Sequence, residues 1–384
     1  MSSSTPSKRA LAHLHSLCHA RLSADVFIPA LLEALHAVIP SQRNLFDWTD
    51  DNGQLLRYFV EGPVDVGVAQ LYFEQFHNRD EAACMPRFDS LRVARAGVRS
   101  AREQATPAFF NSALYQEIWR PQGLHTRIEG VVRNTRGRLL GSLVLYRGPA
   151  DPMASTAEER TLTALLPAVA RGLEAGAAME PANEGPFVPG RGLAETLLLD
   201  SQGLLQWASA GAERLMLLAD GGLSANALAL STQDRVRRLF GRLVDQLVDR
   251  FQARADGGFS AATPPWPTLT LITGCGRFTA QAHWLWPADR SLIARPGLIQ
   301  ITFRQLEPQA VAVRRVLREL PLTAGQAAVC ARLHSGQTQT RIAQELRVAP
   351  STVVDHVRKS LRALDLTDGS ELRNFIERRV ASMA

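Results

Sequence analysis

Cysteine is scarce in this chain, and its four thiols, at positions 18, 84, 275 and 330, are far apart in the sequence. None belongs to a CxxC pair, so neither a disulfide framework nor a zinc site is expected. No apolar run approaches the roughly 18 residues that a membrane-spanning helix requires. The opening MSSSTPSKRA also lacks the charged start and apolar core of a signal peptide. We therefore expect a cytoplasmic protein with no membrane partner.

Motifs that carry chemistry are missing as well. The sequence has no GxxxxGK[ST] phosphate loop, no acidic cluster of the phosphorelay type, and no acid, base and nucleophile that combine into a catalytic set. His15, Cys18 and His19 have helical spacing, but without a fourth ligand an amphipathic helix explains them better than a metal site. Cys275, in TGCGRF, is expected in a turn or bulge as an inert thiol. We expect no catalytic residue, no metal and no enzyme activity, and no cofactor is indicated.

The positive charge is concentrated near the end of the chain. The 384 residues carry 43 Lys or Arg and 37 Asp or Glu, a net charge of +6. From Pro308 onward there are 12 basic and 7 acidic residues, so nearly all of the excess lies in this segment. A local basic excess is typical of proteins that bind a polyanion, and a solvated charged face is the plain alternative. The length suits two or three globular domains.

Residues 21–178 have the pattern of an α+β sensor domain, with residues 1–20 before it as a helix or tail. Ala24–Ile39 and Val66–His77 have helical spacing, and RNLFDW and LLRYFVEG are strand-like around the turn TDDNGQ. RIEGVVRNTRGRLLGSLVLYRG predicts a hairpin, and STAEERTLTALLPAVARGLEAG predicts a closing helix. This order of elements resembles a GAF domain in pattern.

A linker rich in Pro and Gly, about Glu180–Gly192, precedes a second domain at residues 193–306. A strand, a DSQG turn, a second strand, a long helix and three further strands resemble a PAS domain. Lining a ligand pocket and packing in the core explain the tryptophans of this domain equally well. These are Trp207, Trp266, Trp284 and Trp286. The predicted fold class is α+β, with two antiparallel-sheet domains followed by an all-α domain at residues 307–384.

The all-α domain begins with a connecting helix, Glu307–Leu320. TAGQ then predicts a capping box at Thr323, and Gly336 ends the helix that this box starts. A second helix begins at Thr338, and VAPSTVVDHVRKSLRAL predicts a third, whose apolar stripe is Val353, Val357, Leu361 and Leu364. Two short helices joined by a tight turn predict a helix-turn-helix.

The segment Leu322–Phe375 resembles the C-terminal DNA-binding domain of the LuxR family of bacterial transcription regulators. The matching positions are Leu322-Thr323, Gly336, Ile342-Ala343, Leu346, Thr352-Val353, His356-Val357, Leu361 and Leu364. The resemblance implies that the third helix is a recognition helix for the major groove, and that a last helix, about Ser370–Val380, pairs two subunits. It also implies double-stranded DNA, a second copy of the chain, a small-molecule effector and RNA polymerase as candidate partners.

Candidate site residues follow from this resemblance. The expected DNA contacts are Thr338, Thr340, Ser351, Thr352, Val354, Asp355, Arg358, Lys359 and Arg362. Arg358 is expected to read a guanine, and Arg362 to meet a phosphate. The expected dimerisation residues are Leu372, Phe375, Ile376 and Val380.

The chain departs from the family pattern at three positions. Ala328 replaces a usual glutamate, and Val354 replaces a usual lysine, which removes one phosphate contact. Ala349 replaces a Ser or Thr cap, at a typical cost of about 1 kcal/mol, and Pro350 partly offsets this loss. The main hypothesis is a one-component transcription regulator whose sensor domains modulate a DNA-binding tail. The alternative is a ligand-binding or scaffold protein whose helical tail makes protein contacts only.

Overall fold

The computed structural model describes residues 8–62, 64–95, 97–177, 185–190, 192, 194–257, 266–273, 275–286 and 297–383. Its helices are α1 Lys8–Cys18, α2 Ala24–Leu35, α3 Val66–Leu71, α4 Ala101–Gln104, α5 Pro107–Phe110, α6 Thr156–Ala177, α7 Ala212–Ala219, α8 Ala225–Leu228, α9 Thr232–Gly257, α10 Gln309–Glu319, α11 Ala324–His334, α12 Gln339–Leu346, α13 Pro350–Ala363 and α14 Gly369–Met383. Its strands are β1 Arg43–Thr49, β2 Leu55–Val60, β3 Gly97–Arg99, β4 Thr126–Arg133, β5 Leu139–Arg147, β6 Phe187–Pro189, β7 Glu195–Leu199, β8 Leu205–Ala208, β9 Thr268–Thr273, β10 Gly276–Leu285 and β11 Leu298–Pro308.

The first sheet is antiparallel, with strand order β2-β1-β5-β4-β3. Side chains alternate between its two faces. Phe46 packs in a core formed with α1, α2 and α6, whereas Leu45 points to the opposite face. Helix α6 approaches α2 closely at Gly172, where a Cβ atom would lie 2.6 Å from the ring of Phe27. Only glycine fits that contact without displacing the ring.

The second sheet repeats the same topology. Its order is β8-β7-β11-β10-β9, and β6 pairs with the remaining part of β11. When the strands are numbered within each domain from β1 and from β7, both sheets have the order 2-1-5-4-3. Helices α7 and α9 cover the inner face, with Phe240 and Phe303 in edge contact at 5.2 Å between ring centroids. The two domains thus share one folding plan.

The two sheet domains also pack against each other. Tyr58 of β2 pairs with Leu223 through an isolated antiparallel bridge. Tyr58 and Leu223 are buried with Leu217 and Leu228 in one small core between the domains. Helix α10 continues directly from β11, and its Val311 belongs to the core of the first domain. The helical tail is therefore in contact with the first domain as well as joined to the second.

The predicted fold class is confirmed, since two antiparallel sheets precede a helical C-terminal region. Two details differ from expectation. Residues 187–189 of the predicted linker form the edge strand β6, while 180–184 and 191 lie outside the described residues. The connecting helix begins at Gln309, because Glu307 still belongs to β11. In the part of the chain that the structure describes, every helix is too short or too polar to cross a membrane.

Candidate nucleic-acid interface

The interface is built on a small helical core. Val329, Ile342, Ala343 and Val353 are buried together, with one or two side chains from each of α11, α12 and α13. These contacts fix the angle between α12 and α13, which a helix-turn-helix requires. The stripe predicted for α13 is confirmed at Val353, whereas its later members pack at the edges of the cores.

Local capping sets where each helix starts and ends. The amide of Thr323 donates to the side-chain oxygen of Gln326 at 2.7 Å, and the Gln326 amide donates to the Thr323 hydroxyl at 3.4 Å. This is the predicted capping box. Gly336 has φ 81° just after α11, as its place in the sequence led us to expect. Ala349 begins α13 without a side-chain cap, and Pro350 occupies the first turn.

His356 fixes α13 on α11. A Cβ atom at Gly325 would lie 3.0 Å from the His356 ring, so the ring packs directly over the first turn of α11. The hydroxyl of Ser360 donates to the carbonyl of His356 at 2.8 Å, and Ser360 is fully buried. The inward side of α13 is thereby held, and its opposite side faces outward.

The predicted DNA contacts of α13 lie on that outward side, and those at the start of α12 are exposed as well. Thr340, Ser351, Val354, Arg358, Lys359 and Arg362 are exposed, while Thr352 and Asp355 are half-buried. Thr338 is also exposed and caps α12 by accepting from the amide of Arg341 at 3.3 Å. Gln339, Val354, Arg358 and Arg362 line one open groove. The start of α12 and the outer face of α13 thus form one continuous surface.

Ion pairs distribute the charge of this surface unevenly. Asp355 accepts from Lys359 at 2.7 Å and from Arg358 at 3.0 Å. These hydrogen bonds, that of Lys359 first, lower the pKa of the Asp355 carboxyl, so it is ionised at neutral pH. Arg362 has no carboxylate within 4 Å among the described residues. Arg358 must leave its partner to bind a base, whereas Arg362 need not.

Some of the basic side chains that give the tail its net positive charge are buried inside the protein. Arg315 is buried, and its guanidinium lies 2.7 Å from Glu307 and 3.2 Å from Glu33. These carboxylates raise the pKa of Arg315 against the opposing effect of burial. Arg314 is also largely covered, and burial lowers its pKa to about 10. The charge count alone therefore overstated the cationic surface available to a polyanion.

Three of the four predicted dimerisation residues are buried within the protomer. Leu372, Ile376 and Val380 are buried, and they pack in one core with residues of α10 such as Val316. Phe375 remains half-buried, with the guanidinium of Arg379 5.6 Å from its ring centre. Pairing through the first three side chains would require α10 to leave α14.

Sequence reasoning missed the residues that connect the tail to the first domain. Arg9 of α1 donates to the carbonyls of Leu317 and Leu320 at the end of α10. Glu33 of α2 pairs with Arg315 of the same helix. The only local signal was the run of arginines in α10, because the partners are nearly 300 positions away in the sequence.

The structure also places the cysteine and the tryptophans that the sequence singled out in the second domain. Burial raises the pKa of the Cys275 thiol to about 11, so it is protonated at neutral pH. Trp284 packs against the core of the second domain, as one explanation predicts. Trp207 is 61% exposed, and Trp266 and Trp286 are exposed as well, so core packing does not explain these three. Within the described ranges no group of three or more His, Cys, Asp or Glu side chains is placed to hold a metal ion.

Comparisons with known proteins give only distant likenesses. No family model matches, and no curated protein matches. The similar solved structures include the DhaR(N)–DhaL complex of E. coli, which is 15% identical. The match covers 78% of this chain and 88% of that chain, with a TM-score of 0.25. They also include a phage VqmA–DPO complex, which is 16% identical. That match covers 50% of this chain and 86% of the other, with a TM-score of 0.17. The sensor region of a sensor histidine kinase has 18% identity, with 46% of this chain, 62% of that chain and a TM-score of 0.18.

Proposed function

We propose that this chain is a one-component transcription regulator that binds double-stranded DNA through α12 and α13. The observation that carries this proposal is the surface formed by the start of α12 and the outer face of α13. It presents hydroxyls, an amide and cations from a rigid helical core. Hydroxyls, amides and guanidinium groups are the donors and acceptors that base edges and phosphates take.

The packing of α10 supports a regulatory rather than an enzymatic role. Helix α10 continues from the central strand β11 of the second sheet and contacts α1 of the first domain through Arg9. A change in either sheet domain therefore displaces the base of the tail. Such a change would regulate the protein by altering the fraction of molecules in which the tail is positioned to bind DNA. A homodimer on two half-sites would supply the affinity that one small module lacks.

A scaffold function is the second candidate, and one observation favours it. Val354 is 52% exposed in the middle of the outer face, and Asp355 holds the two nearest cations. An apolar side chain beside a neutralised charge cluster suits a protein partner better than a phosphate backbone.

The deciding experiment is a selection of duplexes from a random pool by the full chain, followed by binding measurements across a salt series. We expect an enriched motif and an affinity that falls steeply with salt, since phosphate contacts release counterions. Arg362→Ala should weaken binding. Arg378→Ala, an exposed change on α14, is the matched control and should not. A pool without enrichment, combined with binding that ignores salt, would favour the scaffold function.

A further inference from the structure

A cavity that is partly open to solvent lies on the other side of the first sheet from α2. Its volume is about 130 Å³, and it is bounded by β1, β2, β4 and β5 on one side and by α3 and the segments 72–88 and 118–124 on the other. An apolar cavity of roughly 150 Å³ is large enough to hold benzene. The enclosed space is therefore close to that of one six-membered ring, and the opening to solvent leaves room for a small substituent.

Charged and polar side chains form one wall of this cavity. Tyr146 of β5 is the register partner of Arg43 on β1 and of Arg127 on β4, so these three side chains form a row across three strands. Four positions further along β1, Asp47 is the partner of Tyr58 on β2. Strand alternation places all five on the same face of the sheet. Such residues are rare in the middle of a buried sheet and are expensive to keep there.

This wall offers mainly hydrogen-bond donors. Arg127 is largely buried, pairs with Glu129 at 3.4 Å and is hydrogen-bonded to Tyr146. Burial, with the charge of Glu129 nearby, raises the pKa of Asp47 to about 8. The Asp47 carboxyl is therefore mostly protonated at neutral pH and becomes a donor, while one of its oxygens accepts from Ser142 at 3.2 Å. Two guanidinium groups, a carboxylic acid and tyrosine hydroxyls together suit an acceptor that carries negative charge.

The opposite wall is mainly apolar and aromatic, and His77 and Asp65 also border the cavity there. It contains Val68, Phe73, Phe88, Ile118 and Trp119. Glu81 also borders the cavity, but its carboxylate accepts from the amides of Asn78 and Phe88 at 2.9 and 2.8 Å and from the Tyr72 hydroxyl at 3.1 Å. Glu81 therefore holds its own loop in place. The wall that faces the donors is left with a shape and polarity that match the face of a ring.

We propose that this cavity binds a monocyclic aromatic carboxylate, with the ring between Phe73 and Trp119 and the carboxylate directed to Arg43 and Arg127. Binding at this site does not depend on the proposed DNA-binding function. Only the further step, that such a compound is the effector of the regulator, rests on that function.

The test measures ligand binding by the full chain without DNA. Benzoate is titrated by calorimetry and by thermal unfolding, with benzamide and benzyl alcohol as neutral probes of the same ring. A carboxylate on buried guanidinium groups should bind at least about tenfold more tightly than either neutral probe. Equal affinity of the three probes would overturn the anionic class, and the absence of any binding at millimolar concentration would overturn the site.

Two variants locate the binding. Ala69 lines the cavity, so Ala69→Leu should fill it and abolish the benzoate response. Ala164→Leu, on the exposed face of α6, is the matched control and should bind as the wild type does. Arg43→Gln, at the start of β1, keeps a donor but removes the charge, and it should weaken benzoate without affecting benzamide. If benzoate binds Ala69→Leu and Arg43→Gln unchanged, the cavity is not its site.

Discussion

The guanidinium of Arg315 on α10 lies 3.2 Å from the carboxylate of Glu33 on α2. This ion pair joins the helix that carries the tail to the first sheet domain, 282 positions earlier in the chain. Glu307 holds the same guanidinium at 2.7 Å from within β11. One buried cation is therefore shared by the first domain, the second domain and the tail.

Glu33→Gln should loosen α10 from α2 while leaving Arg315 paired with Glu307. Glu33 is partly exposed, so the loss of global stability should stay within about 1 kcal/mol. Amide hydrogen exchange should become faster in α10 and at the end of α1, because both depend on the position of α10. Glu117→Gln, at an exposed position of the first domain, is the control and should leave the exchange of α10 unchanged. Unaltered exchange in Glu33→Gln would mean that apolar packing and the Arg9 contacts hold α10 without the Glu33 pair.

The contact between α1 and α10 should weaken in mild acid because of His13. Burial, and after it the positive charge of Arg318, lower the pKa of His13 from 6.5 to about 4. Arg314 and Arg315 also lower this pKa, and the negative charge of Glu33 raises it. A histidine with a lowered folded-state pKa contributes stability that is complete above pH 6.5 and is lost as the pH falls towards 4.

The measurement is thermal unfolding of the wild type, His13→Gln and His15→Gln between these pH values. His15 lies on the exposed side of the same helix, so His15→Gln should follow the wild type. His13→Gln should lose less stability on acidification than either. Three parallel curves would show that His13 does not sense the pH.

Asp355→Asn should raise the affinity of the chain for any duplex. The substitution releases Lys359 and Arg358 from their carboxylate partner and removes one charge that repels phosphates. The salt dependence of binding should become steeper, since more cations are available to displace counterions. Fluorescence anisotropy with a labelled duplex, across a salt series, measures both quantities. A weaker complex would indicate that Asp355 accepts a hydrogen bond from a base.

Arg358→Ala and Arg362→Ala should differ in how their loss of DNA affinity depends on the sequence of the duplex. Arg362→Ala should weaken selected and scrambled duplexes alike and lower the salt slope by about one unit. Arg358→Ala should cost roughly 1–3 kcal/mol on the selected duplex and relax preference at one base pair. Its effect should be partly masked by the cost of breaking the pair with Asp355. Equal losses on both duplexes for Arg358→Ala would assign it to the backbone instead.

Ile376→Ala should destabilise the tail within a single protomer. Ile376 is fully buried against the core that α10 and α14 share, and truncation of such a side chain costs about 2–5 kcal/mol. The loss should not depend on protein concentration in chemical unfolding. A loss that grows on dilution would instead place Ile376 in a contact between subunits, as the resemblance had implied.

Local signals in the sequence predicted the local structure well. The capping box at Thr323 and the turn at Gly336 each depend on residues within four positions, and both are present. The row formed by Arg43, Tyr146 and Arg127 depends on the register of three strands, which no local pattern encodes. The local signal for the cavity was an arginine in each of two predicted strands, Arg43 in β1 and Arg127 in β4.

The tail shows the same limit. The apolar stripe of α14 was correctly identified, but a stripe does not say which surface covers it. Within the protomer Leu372 packs against residues of α10, and its part in pairing two subunits stays a prediction. Three exposed tryptophans illustrate the converse, since aromatic content alone does not predict burial.

The junction at Pro308 has a geometric consequence. Pro308 is both the last residue of β11 and the cap of α10, so no flexible loop separates the central strand from the tail. Each residue inserted into α10 would turn everything beyond it by about 100° about the helix axis. Single-residue insertions there should therefore scramble the orientation of α13, whereas an insertion of seven residues, close to two full turns, would restore its direction at a longer reach.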